Sequence, residues 1–231
     1  MTSKKGIGTL SEWSLHSDLK KTYLTAESRE EVEVEGYVVD VVRDGLLVEI
    51  QTSNFSSIRD KLMKLLKSNR VRLVYPIPVT KWIVRTSLDG KQVLSRRKSP
   101  KQMGPQNLFD ELVYLPTLIH HQNFSLEVLL TEEEEIRRKD HKGSWRRRGW
   151  SIIDRRLLSV VGRRLYSSPE DLMHFIPATL RTGFTNTDLS EATGFSKREA
   201  AKITYSLRRM GLLRVAEKRG NANVFERRNP S

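Results

Sequence analysis

The sequence predicts an α/β fold, in which an N-terminal domain on a mixed central sheet is joined by a basic stretch to a small α+β unit. Three observations predict it. Helical periodicities and β-rich runs alternate through residues 1–141. An Asp-Gly pair stands between two apolar runs at Asp44-Gly45, the sequence signature of a tight hairpin. Beyond Ser168, helix caps are followed by a short basic hairpin pattern. The expected boundaries are therefore 1–141, a basic junction over 142–167, and a C-terminal domain over 168–231.

Composition narrows the partners. The 231 residues hold 41 Lys and Arg against 28 Asp and Glu, a formal net charge of +13. A surplus of that size favours polyanions, nucleic acid first and anionic membrane second. The absence of cysteine excludes disulfides, thiolate metal sites and cysteine nucleophiles. The opening "MTSKKGIGTLSEWS" has no apolar signal core, and no apolar run approaches the ~20 residues of a membrane span. A soluble, cytoplasmic protein is the expectation.

The elements follow in order. Leu15, Leu19 and Tyr23 share one face of a helix from Leu10 to about Leu24. Residues 31–43 and 46–52 read as two strands around the Asp-Gly turn. Ile58, Leu62, Leu65 and Leu66 mark a helix over 56–66. "VRLVYPI" and "KWIVRTS" read as two further strands, and "LDGKQVLSRR" as a turn into another. Residues 107–120 have helical periodicity, interrupted by Pro116, and "FSLEVLLTEEEE" resumes a strand. The stretch 142–166 carries eight Lys or Arg against one Asp, over half of the net charge, and so marks the junction. Gly194 caps a helix ending at Thr193, and Ser196 with Glu199 forms a capping box for the next one. There Ala200, Ile203, Leu207 and Met210 make an apolar stripe, leaving Lys197, Arg198, Lys202, Tyr205, Arg208 and Arg209 for solvent.

The hairpin holds an anomaly. A two-residue Asp-Gly loop places Asp40 opposite Glu49 and Val38 opposite Gln51, so Asp40, Glu49 and Gln51 share one side. Val39, Val41, Val48 and Ile50 are expected on the other. Directly opposed β-carbons stand ~4.5–5.5 Å apart. Two carboxylates at that range repel unless something offsets the charge: a hard divalent cation, a shared proton, or an Arg such as Arg85. An edge hairpin with its polar face in water is the plainer alternative.

An Asp followed by Glu-x-Gln on the partner strand, then the helix "SSIRDKLMKLL" and the strand "VRLVYPI", resembles the PD-(D/E)XK nuclease superfamily, over about residues 9–100. That resemblance implies a restriction-endonuclease-like fold with Asp40, Glu49, Gln51 and Glu12 as catalytic residues. It implies Mg²⁺, with Mn²⁺ as a substitute, held by Asp40, Glu49 and the Ile50 carbonyl. Glu12 equally fits a capping box with Thr9. His16, one turn on from Glu12, is expected to cover the helix, with contact to substrate as the alternative. Gln51 departs from the pattern, since most members carry Lys there; Lys98 or a neighbour in "SRRKSPK" is the substitute cation considered.

The C-terminal order of helix, tight turn, basic helix and basic hairpin resembles the winged helix-turn-helix family, over about 168–228. That implies DNA contacts from Lys197, Arg198, Lys202 and Arg208 in the second helix, and from Lys218 and Arg219 in the wing. Such domains also serve protein packing. Arg146, Arg147 and Arg148, between Trp145 and Trp150, are expected on the DNA backbone, unless the Trp side chains are core.

These expectations make a metal-dependent endonuclease or nickase acting on double-stranded DNA, with a homodimer open because many members cut both strands as dimers. The alternatives are a nuclease-fold DNA-binding regulator or assembly factor without chemistry, and an RNA-binding protein, which explains the acid pair less well.

Overall fold

The computed structural model describes residues 14–228. Its centre is a mixed seven-stranded sheet in the order β1-β2-β3-β4-β6-β7, with β5 added beside β4. The strands are β1 (Arg29–Val34), β2 (Tyr37–Arg43), β3 (Leu46–Ile50), β4 (Arg70–Thr86), β5 (Val93–Lys98), β6 (Phe124–Lys139) and β7 (Trp150–Tyr166). β3, β4 and β6 run parallel, and the remaining pairings are antiparallel.

Period-two alternation puts the two sides of the sheet under different cover. On one side α1 (Ser14–Lys21) lays Leu15 and Leu19 over Val41, Val48, Ile50, Val74 and Leu129. On the other, α2 (Arg59–Leu65) and α3 (Phe109–Leu112) bury Leu62, Leu65, Phe109 and Leu112 against Leu47, Leu73, Tyr75, Ile77, Leu126 and Val128. Fully burying one such side chain is worth roughly 1.5–3 kcal/mol, so this double cover fixes which residues of β3 face which helix.

Several elements differ from the expectation, each for a physical reason. The run 31–43 is two strands, because Glu35 and Gly36 both take positive φ (52° and 80°) and form a second tight turn closing Val34 on Tyr37. "VRLVYPI" and "KWIVRTS" are one 17-residue strand with a register shift between Pro78 and Thr80. Pro76 is tolerated mid-sheet because its missing N–H faces the side where β3 has ended and β5 has not begun: Val74 O accepts from Gln51 N at the end of β3, whereas Val71 N donates toward β6. The helix expected over 107–120 is broken into α3 and two 3₁₀ turns.

The largest correction concerns 142–167. Instead of a junction, residues 150–166 form β7, paired with β6 along its length. Its charged residues come in runs, Asp154-Arg155-Arg156 and Arg163-Arg164, carried by a strand and not by a linker.

After a 3₁₀ turn at Glu170–Phe175 come α4 (Asn186–Thr193), α5 (Lys197–Arg209) and the hairpin of β8 (Leu213–Arg219) and β9 (Ala222–Arg227). Gly194 ends α4 with φ 74°, and Ser196 and Glu199 form the expected capping box, Ser196 N donating to Glu199 Oε2 at 2.8 Å. Leu189, Ala200, Ile203, Leu207, Met210 and Phe225 join the core that contains Phe109 and Leu112. Lys202 Nζ meets Asp110 Oδ1 at 2.6 Å across this contact. The C-terminal unit is therefore packed on the sheet domain, not tethered to it.

Candidate functional site

Asp44 and Gly45 both adopt positive φ (51° and 70°), the type I′ conformation that an Asp-Gly pair favours. The register follows: Arg43 pairs with Leu46, Val42 with Leu47 and Val41 with Val48. One step beyond, the ladder gives way. Asp40 turns its carboxylate into the seam, where Oδ2 accepts the Ile50 N–H at 2.7 Å. Val39 then packs with Leu47 in the α2-side core and not with Val41, Val48 and Ile50, contrary to simple alternation.

The two acids are met from opposite sides of the sheet. From α1, His16 Nε2 lies 3.2 Å from Asp40 Oδ2 and 3.0 Å from the Ile50 carbonyl oxygen. Both are acceptors, so Nε2 carries the proton. His16 is thus part of the site, not a cover for its helix. From α2, Lys61 Nζ makes an ion pair with Glu49 Oε1 and donates to the Val38 carbonyl at 2.6 Å. Glu49 is 4 % exposed, and its Oε1 has no well-directed hydrogen bond.

The environments separate the acids. Burial, reinforced by the Asp40 charge, pushes the Glu49 carboxyl up to about 7, although Lys61 opposes the rise. Burial would raise Asp40 too, but the His16 bond and charge, the Ile50 N–H and Lys61 outweigh it and hold Asp40 below the usual carboxylate range. Near neutrality the site keeps one firm negative charge and a second held at the edge of ionisation.

Lys61 is the functional residue that sequence reasoning missed. Its signal is its position: with Ile58 and Leu65 it falls on the buried side of the helix, where a lysine is out of place. It is held there because the chain leaving β3 is pinned, with Phe55 N donating to Glu111 Oε2 at 2.9 Å and the Phe55 ring edge-on to Tyr75 at 5.0 Å.

Gln51 leaves β3 beside the acids, but its amide donates to the carbonyls of Ser53 and Asn54, stabilising the turn into α2. Arg85 is elsewhere, stacked on Trp150 at 4.7 Å. Lys98 is exposed on β5, paired with Trp82. Glu12 lies outside the described residues.

A cavity of about 190 Å³ is lined by Leu15 and Thr52, the chain neighbours of His16 and Gln51, and by Lys81, Lys101, Glu133 and Arg155. Among the described residues no group of three or more His, Asp or Glu side chains is arranged to hold a metal. The donors present at the acid pair are two carboxylates and a main-chain carbonyl, a set that hard cations accept.

The expected nucleic-acid contacts fall on three elements. Arg146, Arg147 and Arg148 lie at the tip of the β6–β7 hairpin, with Arg147 half-buried. Lys197, Arg198 and Arg208 are exposed on α5, and Lys218 and Arg219 on the β8–β9 hairpin. Lys202 is the exception: its ion pair with Asp110 assigns it to packing, not to a free surface. No described helix is long and apolar enough to cross a membrane.

Comparison with known proteins bears on descent. The family model "Domain of unknown function (DUF8091)" matches residues 13–166, which end where β7 ends. An uncharacterized protein of Treponema pallidum (strain Nichols) is 33 % identical over 226 residues, covering 97 % of this chain and 88 % of that protein. No solved structure matches. Two thirds of the chain lies within the family model, sheet and acid pair included, and the protein belongs to the DUF8091 family.

Proposed function

We propose that this protein is a metal-dependent DNA endonuclease or nickase of the PD-(D/E)XK type, with the C-terminal unit acting as a winged helix that docks DNA. The observation that carries the reading is that Asp40, Glu49 and the Ile50 carbonyl flank one break in the β2–β3 ladder, with His16 meeting Asp40 from α1 and Lys61 meeting Glu49 from α2.

The residues fit a hard divalent ion. Glu49 Oε1 is buried without a well-directed hydrogen bond, and burial together with the neighbouring Asp40 charge raises the Glu49 pKa, so a cation here would relieve both acids. Asp40, Glu49 and the Ile50 carbonyl would hold Mg²⁺ or Mn²⁺. When bound, such an ion acidifies water and neutralises charge on phosphodiester oxygens.

The chain's own groups do the rest. His16 and the Ile50 N–H keep Asp40 ionised and aimed. Lys61 supplies, from α2, the point charge that Gln51 cannot, beside the acid pair. Gln51 stiffens the turn that presents α2. Lys81, Lys101 and Arg155 line the cavity beside Leu15 and Thr52, where cations favour a phosphate backbone, although Lys81 is also paired with Glu135. Lys197, Arg198, Arg208, Lys218 and Arg219 supply docking charge. Lys202 is left out of this set.

One observation favours the rival reading, a DNA-binding regulator without chemistry: the amide of Gln51 is already engaged by its own turn. Plasmid nicking separates the two. Incubated with supercoiled DNA and Mg²⁺ or Mn²⁺, the wild type is expected to produce open circles. Asp40→Ala and Glu49→Ala should abolish this, and Lys61→Ala should slow it by about 10²-fold or more, the scale of losing one electrostatic group at a reacting phosphate. DNA binding should survive in all three. A wild type that binds DNA but never nicks it overturns the enzyme reading and leaves the regulator.

A further inference from the structure

The β6–β7 hairpin ends in a tip that the acid pair does not explain. Between residues 137 and 149 the chain carries seven Lys or Arg and one Asp. In their midst Trp145 is 82 % exposed, the most exposed of the large hydrophobic side chains described. An indole normally buries most of its surface, so a tip that holds one in solvent among cations calls for a partner.

The tip is built, not frayed. Asp140 Oδ1 accepts from Ser151 Oγ at 2.6 Å and from Lys142 N at 3.0 Å, while His141 N donates to Gly149 O at 3.0 Å. Arg147 N donates to Ser144 O at 2.8 Å and Arg148 N to Trp145 O at 3.0 Å, closing one 3₁₀ turn under the indole. A β-carbon added to Gly143 would stand 2.0 Å from the Trp150 carbonyl oxygen, so the crossing admits only glycine. The two tryptophans have different fates. Trp150 is covered by Arg85 at 4.7 Å, whereas Trp145 stays exposed with the Arg146 guanidinium 5.5 Å from its ring centroid.

A rigid indole with a guanidinium at its face and arginines beside it matches the chemistry of an unpaired nucleotide. The base stacks on the ring, and the flanking phosphates meet Arg146, Arg147 and Arg148. Intact duplex has no free base face to offer. We infer that the Trp145 tip is a base-stacking site for unpaired nucleotides, and that the DNA this protein engages carries a single-stranded or bulged segment. The inference deepens the proposed function by naming its substrate class and rests on that reading for the identity of the nucleic acid as DNA.

The test is binding without cleavage, in EDTA. Fluorescence anisotropy would follow three labelled probes: a 20-nucleotide single strand, its fully paired duplex, and that duplex with one bulged base. Trp145→Ala should weaken binding to the single strand and the bulged duplex about 5- to 100-fold, the range for loss of one base–aromatic stack. Paired duplex should change less than about twofold. Trp145→Phe should restore most of the loss, which a mere fault in folding would not allow. Arg146→Ala with Arg147→Ala should weaken all three probes and flatten the salt dependence. Equal binding of all probes by wild type and Trp145→Ala overturns the inference, as does an equal loss on all three. Because no metal is present, a protein that nicks plasmid yet shows no Trp145 effect refutes only this inference. One that shows the effect but never nicks refutes only the nuclease reading.

Discussion

Replacing Glu49 by Gln removes the one carboxyl at the candidate site that burial holds near neutrality, and its effect on stability has a calculable sign. The folded-state pKa of about 7 lies above the ordinary 4.5. The folded protein therefore binds this proton more tightly than the unfolded chain does. That contribution is fully present below about 4.5 and is lost as pH rises through about 7. At about 1.36 kcal/mol per pKa unit the full loss is roughly 3 kcal/mol, and about 2 kcal/mol of it falls between pH 5.5 and 8. Because Glu49 is 4 % exposed, solvent screening takes little from this figure. Glu49→Gln has no such proton. Urea unfolding of both proteins in EDTA at the two pH values is the assay. The variant's stability relative to wild type should rise by about 2 kcal/mol from pH 5.5 to 8. The attraction between Lys61 and ionised Glu49 is already contained in the folded-state pKa and is not counted a second time. A relative stability that stays constant within about 0.5 kcal/mol would refute the claim that burial and the Asp40 charge raise the Glu49 pKa in the folded protein.

Two other perturbations test the frame around the site. Gly45→Ala places a β-carbon at φ 70°, where nothing clashes but the backbone is unfavourable for an L-residue; it should cost about 1 kcal/mol in urea unfolding, and Gly45→Val more. A double-mutant cycle on Lys202→Ala and Asp110→Ala should give a coupling of about 0.5–1 kcal/mol, modest because both side chains are partly exposed. Zero coupling, with a loss of DNA binding in Lys202→Ala alone, would return Lys202 to the docking surface.

What the sequence made legible was local chemistry. Asp44-Gly45 fixes the hairpin because two consecutive positive φ angles suit few other pairs, and Ser196 with Glu199 fixes the start of α5 because the box is complete within four residues. What it hid depends on partners distant in the chain. Glu35-Gly36 is the same turn in disguise, masked by the alternating "EVEVE" before it. The charges of 142–166 resemble a linker until β6 is known to run beside them. The pair of acids was legible, but their divergence was not: simple alternation has Asp40 and Glu49 on one side, whereas Asp40 leaves the ladder to accept the Ile50 N–H and meet His16. Lys61 was hidden for the same reason, since only the packing of α2 on β3 brings a helical lysine to Glu49.

The proposed chemistry needs a cation at the β2–β3 break, and calorimetric titration with Mn²⁺ at pH 8 tests that most directly. One stoichiometric binding event is predicted for the wild type, abolished in Asp40→Ala and weakened in Glu49→Gln. Heats of the wild type that cannot be told from those of Asp40→Ala would contradict it.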